Sequence, residues 1–287
     1  MTTIPWQMLD RNTATVAIAP GFDRLYQLHE TGAIFQYTGT PMTGWERLDA
    51  NPSTVAITSD GNTVYQLHET GAIFQYTGTP MTGWLRLDAN PATVAIAGAF
   101  GRLYQRHNTG AIFQFTGTPM TGWQRLDANP ATAAIVAAGL ELYQLHETGA
   151  IFRYTGTPMT GWQRLDANPA TVAITAEDIG NPEINTLFQL HNTGAIFRYT
   201  GTPMTGWEQL DRNPATVAIA AAGRELFQLH ETGQVFRYTG TPFTGWERFS
   251  WEFTVPIAIA GSTHTSPQHE AILYHLTQVG AIQKLQR

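Results

Sequence analysis

Tryptophan recurs along this 287-residue chain at Trp6, Trp45, Trp84, Trp123, Trp162, Trp207 and Trp246, with successive gaps of 39, 39, 39, 39, 45 and 39 residues. The text around each tryptophan is nearly the same. The unit that starts at Trp45 reads W-E-R-L-D-A-N-P-S-T-V-A-I and continues Y-Q-L-H-E-T-G-A-I-F-Q-Y-T-G-T-P-M-T-G. Six copies of G-A-I-F-Q-Y-T-G-T-P-M-T-G-W, or a near variant, begin at Gly32, Gly71, Gly110, Gly149, Gly194 and Gly233. A seventh, worn copy ends the chain as V-G-A-I-Q-K-L. A period of this length means one supersecondary unit stacked on copies of itself.

Each unit holds four short segments of strand character. In the first copy these are Thr15–Ala19, Leu25–His29, Ala33–Thr38 and Trp45–Asp49. They are rich in Val, Ile, Leu, Tyr, Phe and Trp, which fit a pleated surface. Between them lie a loop at Pro20–Arg24, a tight Glu30-Thr31-Gly32 turn and a Gly-Thr-Pro-Met-Thr-Gly loop; an Asp-Ala-Asn-Pro corner leads into the next unit. Gly and Pro supply the positive or fixed φ that such reversals need.

Four antiparallel strands in about 40 residues match one blade of a β-propeller. An open stack would expose two apolar ends, and closing the ring removes both. The termini indicate how it closes. Repeat 7 stops after its third strand, expected at Ala281–Gln286, and the chain begins with the missing piece, Trp6-Gln7-Met8-Leu9-Asp10. The expectation is an all-β, seven-bladed β-propeller of four-stranded antiparallel blades, a single domain over residues 1–287, whose N-terminal strand closes the last blade.

Composition narrows the function. Charged residues make up 13% of the chain, against about 25% in an average soluble domain. A net charge of −6 argues against nucleic acid or an anionic membrane as the main partner. No run of 18 apolar residues suggests membrane insertion. The start, M-T-T-I-P-W, lacks the pattern of a secretory signal. That leaves a soluble chain, cytoplasmic or released by a non-classical route. With no Cys, neither redox compartment is excluded.

Chemistry should sit where the repeat is polar. The strand 2–3 turn and the strand 4–1 corner open on one face of a propeller; the other two loops open on the opposite face. The first face carries His29-Glu30, His68-Glu69, His107-Asn108, His146-Glu147, His191-Asn192 and His230-Glu231. One His per blade cannot make a metal cluster, so no metal or other cofactor is expected. Each His is either a half-buried group bonded to its turn or a hydrogen-bonding group for a small polar ligand. The adjacent Glu or Asn suits sugar hydroxyls.

The Asp-x-Asn-Pro corner reads as an Asx turn. Trp45, Trp84, Trp123, Trp162, Trp207 and Trp246 fit inter-blade packing. Each also offers a flat face on which a sugar ring can stack. Arg47, Arg86, Arg125, Arg164 and Arg248 either pair with a carboxylate or reach a ligand. No paired catalytic carboxylates, G-x-S-x-G nucleophile motif or phosphate-binding Gly loop is present, and no enzymatic activity is expected. A surface copied six times serves multivalent binding instead.

The passage L-Y-Q-L-H-x-T-G-A-I-F-x-Y-T-G-T-P-x-T-G-W, with its L-D-x-N-P-A-T link, resembles the seven-bladed propeller lectins of Photorhabdus bacteria, and the likeness covers essentially the whole chain. The resemblance implies a multivalent lectin for fucose or related sugars on glycans, held in pockets between blades, with homo-oligomers and a role in recognising host glycans. It places the sugar contacts at the Trp positions and at the His-x-Thr-Gly hairpins. Family members often carry Trp where Phe35, Phe74, Phe113, Phe152, Phe197 and Phe236 stand here. Repeat 7 departs further, with Thr277-Gln278-Val279-Gly280 as its hairpin, Gln283 for the Phe, and Ser250-Trp251-Glu252-Phe253 at the corner. Pockets touching blade 7 should therefore be weakened or lost, leaving at most six. The other class of reading is a protein-interaction propeller scaffold without sugar binding.

Overall fold

The apolar runs become strands, and the Gly, Pro and Asn positions become the reversals between them. A computed structural model describes residues 6–177, 186–222, 225–248, 256–263, 271–277 and 280–285. Seven four-stranded antiparallel sheets form the ring of a β-propeller. Blade 1 runs outward through Thr15–Pro20, Leu25–His29, Ile34–Tyr37 and Trp45–Asp49. Inner strands of neighbouring blades touch one another, which sets this direction. Blades 2 to 6 repeat the order.

Blade 7 joins the chain ends. Its strands are Pro256–Thr263, Ala271–Thr277 and Ile282–Leu285, followed by Trp6–Asp10, with Trp6 opposite Leu285 and Met8 opposite Gln283. The third strands are shorter than expected. Ile34–Tyr37 replaces Ala33–Thr38, because the Ala33 carbonyl and the Thr38 N–H are used inside the flanking turns. The insertion at 178–185, the repeat 7 corner at 250–253 and residues 278 and 279 lie outside the described residues.

Side-chain alternation decides which neighbour each residue meets. Tyr26, Leu28, Ile34 and Leu48 of blade 1 pack on Val64, Ile57 and Trp84 of blade 2. Leu25, Ile18, Tyr37 and Trp45 pack the opposite way, on Leu9, Tyr274, Leu276 and Ile282 of blade 7. Both faces are thus covered.

The inner strand departs from this expectation at one place. Its register shifts between Thr15 and Ala17, and the bulged Val16 is 49% exposed. The same Val is exposed as Val55, Val94, Val172 and Val217. A bulge places an extra residue out of the ladder, so the apolar run is not uniformly buried.

The hairpin turn is locked to the corner by close approach. Gly71 has φ +80°, and a Cβ there would lie 2.0 Å from the Asn90 carbonyl oxygen. The same contact recurs at Gly32, Gly110, Gly149 and Gly194. Only glycine fits that backbone-to-backbone contact.

Candidate functional site

On the hairpin side, the seams that blades 1 to 6 make with the preceding blade hold a relay of buried polar groups. Thr15 Oγ1 donates to Gln27 Oε1 (2.7 Å), and Gln27 Nε2 donates to Asp10 Oδ2 of the preceding blade (2.9 Å). The Thr–Gln bond recurs in blades 2 to 6. The Gln–Asp link to the preceding blade recurs at Gln105–Asp88, Gln144–Asp127, Gln189–Asp166 and Gln228–Asp211. A register shift between Ile34 and Phe35, which sets Asp49 opposite Ile34, turns the aspartate toward the next blade. At the corner, Asp49 Oδ1 accepts the Ala50 N–H (2.8 Å) and Asn51 Oδ1 accepts the Ser53 N–H (3.0 Å), so the corner is the Asx-type turn expected.

Each histidine lies directly beside this relay. His29, His68, His107, His146, His191 and His230 are all buried, each with its ring 4.4–4.5 Å from the Phe two positions into the third strand. Burial lowers the pKa of all six; the carboxylate of the preceding blade, Asp10 for His29, acts in the opposite direction. All six are therefore neutral at pH 7. Asn12 Nδ2 lies 3.4 Å from His29 Nε2, and His191 Nε2 lies 3.3 Å from Gln189 Oε1. The Nε2 atoms of His68, His107, His146 and His230 are buried with no hydrogen-bond partner.

Above the histidine the seam opens. Phe35 is half-buried and pairs across strands with Arg47, which is exposed. Arg47 Nε donates to its own Asp49 carbonyl (3.3 Å), and the same bond recurs at Arg86, Arg125 and Arg164. In blade 5, Gln209 Nε2 makes the same backbone bond to Asp211 in place of an arginine. The turn residues Glu30, Glu69, Asn108, Glu147, Asn192 and Glu231 are exposed at the lip of each seam.

The tryptophans sit at the other end of the blade. Trp45 Nε1 donates to the Leu9 carbonyl of the preceding blade (3.1 Å), and the bond repeats at Trp84, Trp123, Trp162, Trp207 and Trp246. Each ring also leans on the third-strand aromatic, Tyr37 for Trp45 at 5.1 Å. The Trp45 row and the His29 row are four residues apart along the third strand, about 13 Å. Trp and His therefore do not share one pocket. They mark two repeated surfaces on opposite ends of the same seam.

A residue missed in the sequence sits beside each Trp. Met42 has φ +69°, donates its N–H to the same Leu9 carbonyl (2.8 Å) and leaves its side chain 43% exposed. Met81, Met120, Met159, Met204 and Phe243 repeat this geometry. Left-handed backbone is costly for a bulky side chain. The signal was present as an apolar residue placed six times inside an otherwise polar turn.

Blade 7 alters the count of seams. The His, Phe and Arg of each blade face the preceding blade, so blade 7 presents its Asp10 side to a complete blade 1. The seam between blades 6 and 7 loses both rings, because Thr277 replaces His and Gln283 replaces Phe, whereas the seam between blades 4 and 5 keeps His and Phe with Gln209 in place of the Arg. Thr277 Oγ1 is satisfied locally by the Ala281 N–H (3.0 Å). Six seams keep the histidine and its preceding aspartate. Among the described residues no group of three or more metal-ligating side chains occurs, and no helix is long and apolar enough to cross a membrane.

No family model and no curated protein matches the sequence. Solved structures do match. YCF48 bound to D1 peptide superimposes with a TM-score of 0.70 at 16% identity, over 100% of this chain and 97% of that one. A chain of the complex of Kap60 bound to yeast RCC1 (Prp20) gives 0.65 at 9% identity, over 94% and 80%. YCF48 from Cyanidioschyzon merolae gives 0.66 at 13% identity, over 98% of both chains. At these identities the likeness is one of fold: the chain is a seven-bladed β-propeller.

Proposed function

We propose that this protein is a multivalent lectin without catalytic activity, binding fucose or a related sugar of glycans at the seams between its blades. The observation that carries the reading is the sixfold copy of one surface, not of one core alone. At each copy a half-buried aromatic lies beside an exposed polar lip. A pyranose needs an apolar face to stack on and hydrogen-bonding groups for its hydroxyls. Phe with Arg, Glu or Asn offers both on the hairpin side, and Trp with Tyr and Met offers a broader apolar platform at the other rim. Weak sites fixed on one rigid ring gain avidity of about 10² or more toward a repetitive target.

The test is a glycan array with haemagglutination and monosaccharide inhibition. Fucose-inhibited agglutination is expected, with titration reaching six sugars per chain. No glycan bound and no agglutination would refute the lectin and leave a protein-interaction scaffold, a role consistent with propellers solved in complex with a peptide or a protein. Phe74→Gln, the residue that blade 7 carries at this register, and Trp84→Phe then assign the sugar to one rim: the variant on the binding side should lower stoichiometry by one site, and the other should not.

A further inference from the structure

One seam differs from the rest in charge. A cleft of 790 Å³ opens where blade 7 meets blade 1, on the side of the strand 1–2 loops. Its walls carry Lys284, Arg24, Asp23 and Gln7, with Tyr37 and Tyr274 as aromatic lining. Lys284 is the sole lysine of the chain.

The residue at this register of the third strand is Gln36, Gln75 and Gln114 in blades 1 to 3, and arginine in blades 4 to 6. Two of those arginines are neutralised across the strand pair, Arg198 by Glu208 and Arg237 by Glu247. Arg153 donates to Gln163 Oε1 (2.9 Å), with Glu141 close enough to feel its charge. Lys284 faces Gln7 instead, a neutral amide, and among the described residues no carboxylate pairs with it. Arg24 reaches over the same cleft, where it donates to the Asn62 carbonyl (3.1 Å) and lies beside the neutral Tyr26 hydroxyl. Two cations thus share one wall with a single carboxylate, Asp23.

We infer that the blade 7–blade 1 cleft is a binding site for a carboxylate-bearing sugar of one or two rings. The volume fits such a ligand. Lys284 and Arg24 supply charge-assisted donors for the carboxylate, Gln7 donates to and accepts from hydroxyls, Asp23 accepts from them, and the tyrosine rings supply the apolar face. Tyr37 recurs as Tyr76 and Arg24 as Arg102, but Lys284 occurs once, so the pairing of Lys with Arg belongs to one seam and one site per chain is expected. The inference does not rest on sugar binding at the six repeated seams.

The single lysine makes the test direct. Reductive methylation with ¹³C-formaldehyde keeps the charge and gives one side-chain resonance, separable from the terminal amine by its higher pKa. Titration with sodium D-glucuronate should shift that resonance to saturation at one equivalent site. D-glucose should leave it in place, and sodium acetate at matched ionic strength should be at least about tenfold weaker. In calorimetry on the unlabelled protein, Lys284→Gln, the residue that blades 1 to 3 carry, should weaken glucuronate binding at least about tenfold. No shift with glucuronate, an equal shift with glucose, a shift with acetate of the same affinity, or an unchanged affinity in Lys284→Gln would each overturn the inference. A chain that binds glucuronate but no fucose would refute the repeated-seam lectin and leave this site standing.

Discussion

Acid should unfold this ring early, and the six seam histidines set the size of the effect. Each is buried, with its pKa pushed below the usual 6.5 by desolvation. A histidine whose folded pKa is depressed binds its proton more readily when unfolded, so stability is full above about pH 6.5 and falls as pH drops toward the folded value. Each group contributes a slope of at most about 1.4 kcal/mol per pH unit. Six acting together give at most about 4 kcal/mol per unit at pH 6.5, rising toward about 8 a unit lower while the folded histidines stay neutral.

Urea denaturation followed by tryptophan fluorescence between pH 7.5 and 5.0 measures the slope. His107→Gln should flatten it by about one sixth while the remaining five stay coupled to pH. Constant stability from pH 7.5 to 5.5, or a native His107 imidazole, assigned by its loss in His107→Gln, that titrates at about 6.5, would refute the burial that the seams impose.

Three further outcomes follow from the geometry. Trp84→Phe should cost only about 1 kcal/mol, because the Leu48 carbonyl keeps its bond from the Met81 N–H, whereas Trp84→Ala should cost about 3 kcal/mol by leaving a cavity between blades; chemical denaturation separates the two. Gly71→Ala should destabilise far more than Gly78→Ala in thermal unfolding, since both have positive φ but only the first drives a Cβ into backbone, the Asn90 carbonyl at 2.0 Å. Asp88→Ala should cost about 2 kcal/mol, because the Gln105 amide loses its acceptor inside the seam, and Asp88→Asn should recover part of it, as read from urea midpoints.

The blade count and the manner of closure were legible because both are properties of a periodic text. A unit repeated every 39 residues has to bury its two faces on neighbours, and a last copy short of one strand has to borrow it from Trp6–Asp10. Turn chemistry was legible for the same reason: Gly, Pro and Asn act through their own backbone, within a few residues. The site was only partly legible. Period-two alternation says that Gln27, His29 and Phe35 share a face, but not that this face meets the preceding blade's aspartate. That choice depends on the direction in which the ring closes, a contact 17 residues away in the chain.

Two further matters belonged to the tertiary structure alone. The order of the loops already set Trp and His on opposite faces, and only the packing between sheets shows that both rows line one and the same seam. The sealing of the histidines depends on a phenylalanine from the next strand and on a neighbouring sheet. Likewise, a lysine opposite a glutamine becomes a charged cleft only when the chain ends meet and place Arg24 on the same wall. The repeated surface was thus determined by the sequence, and the one surface that is not repeated was created by closing the ring.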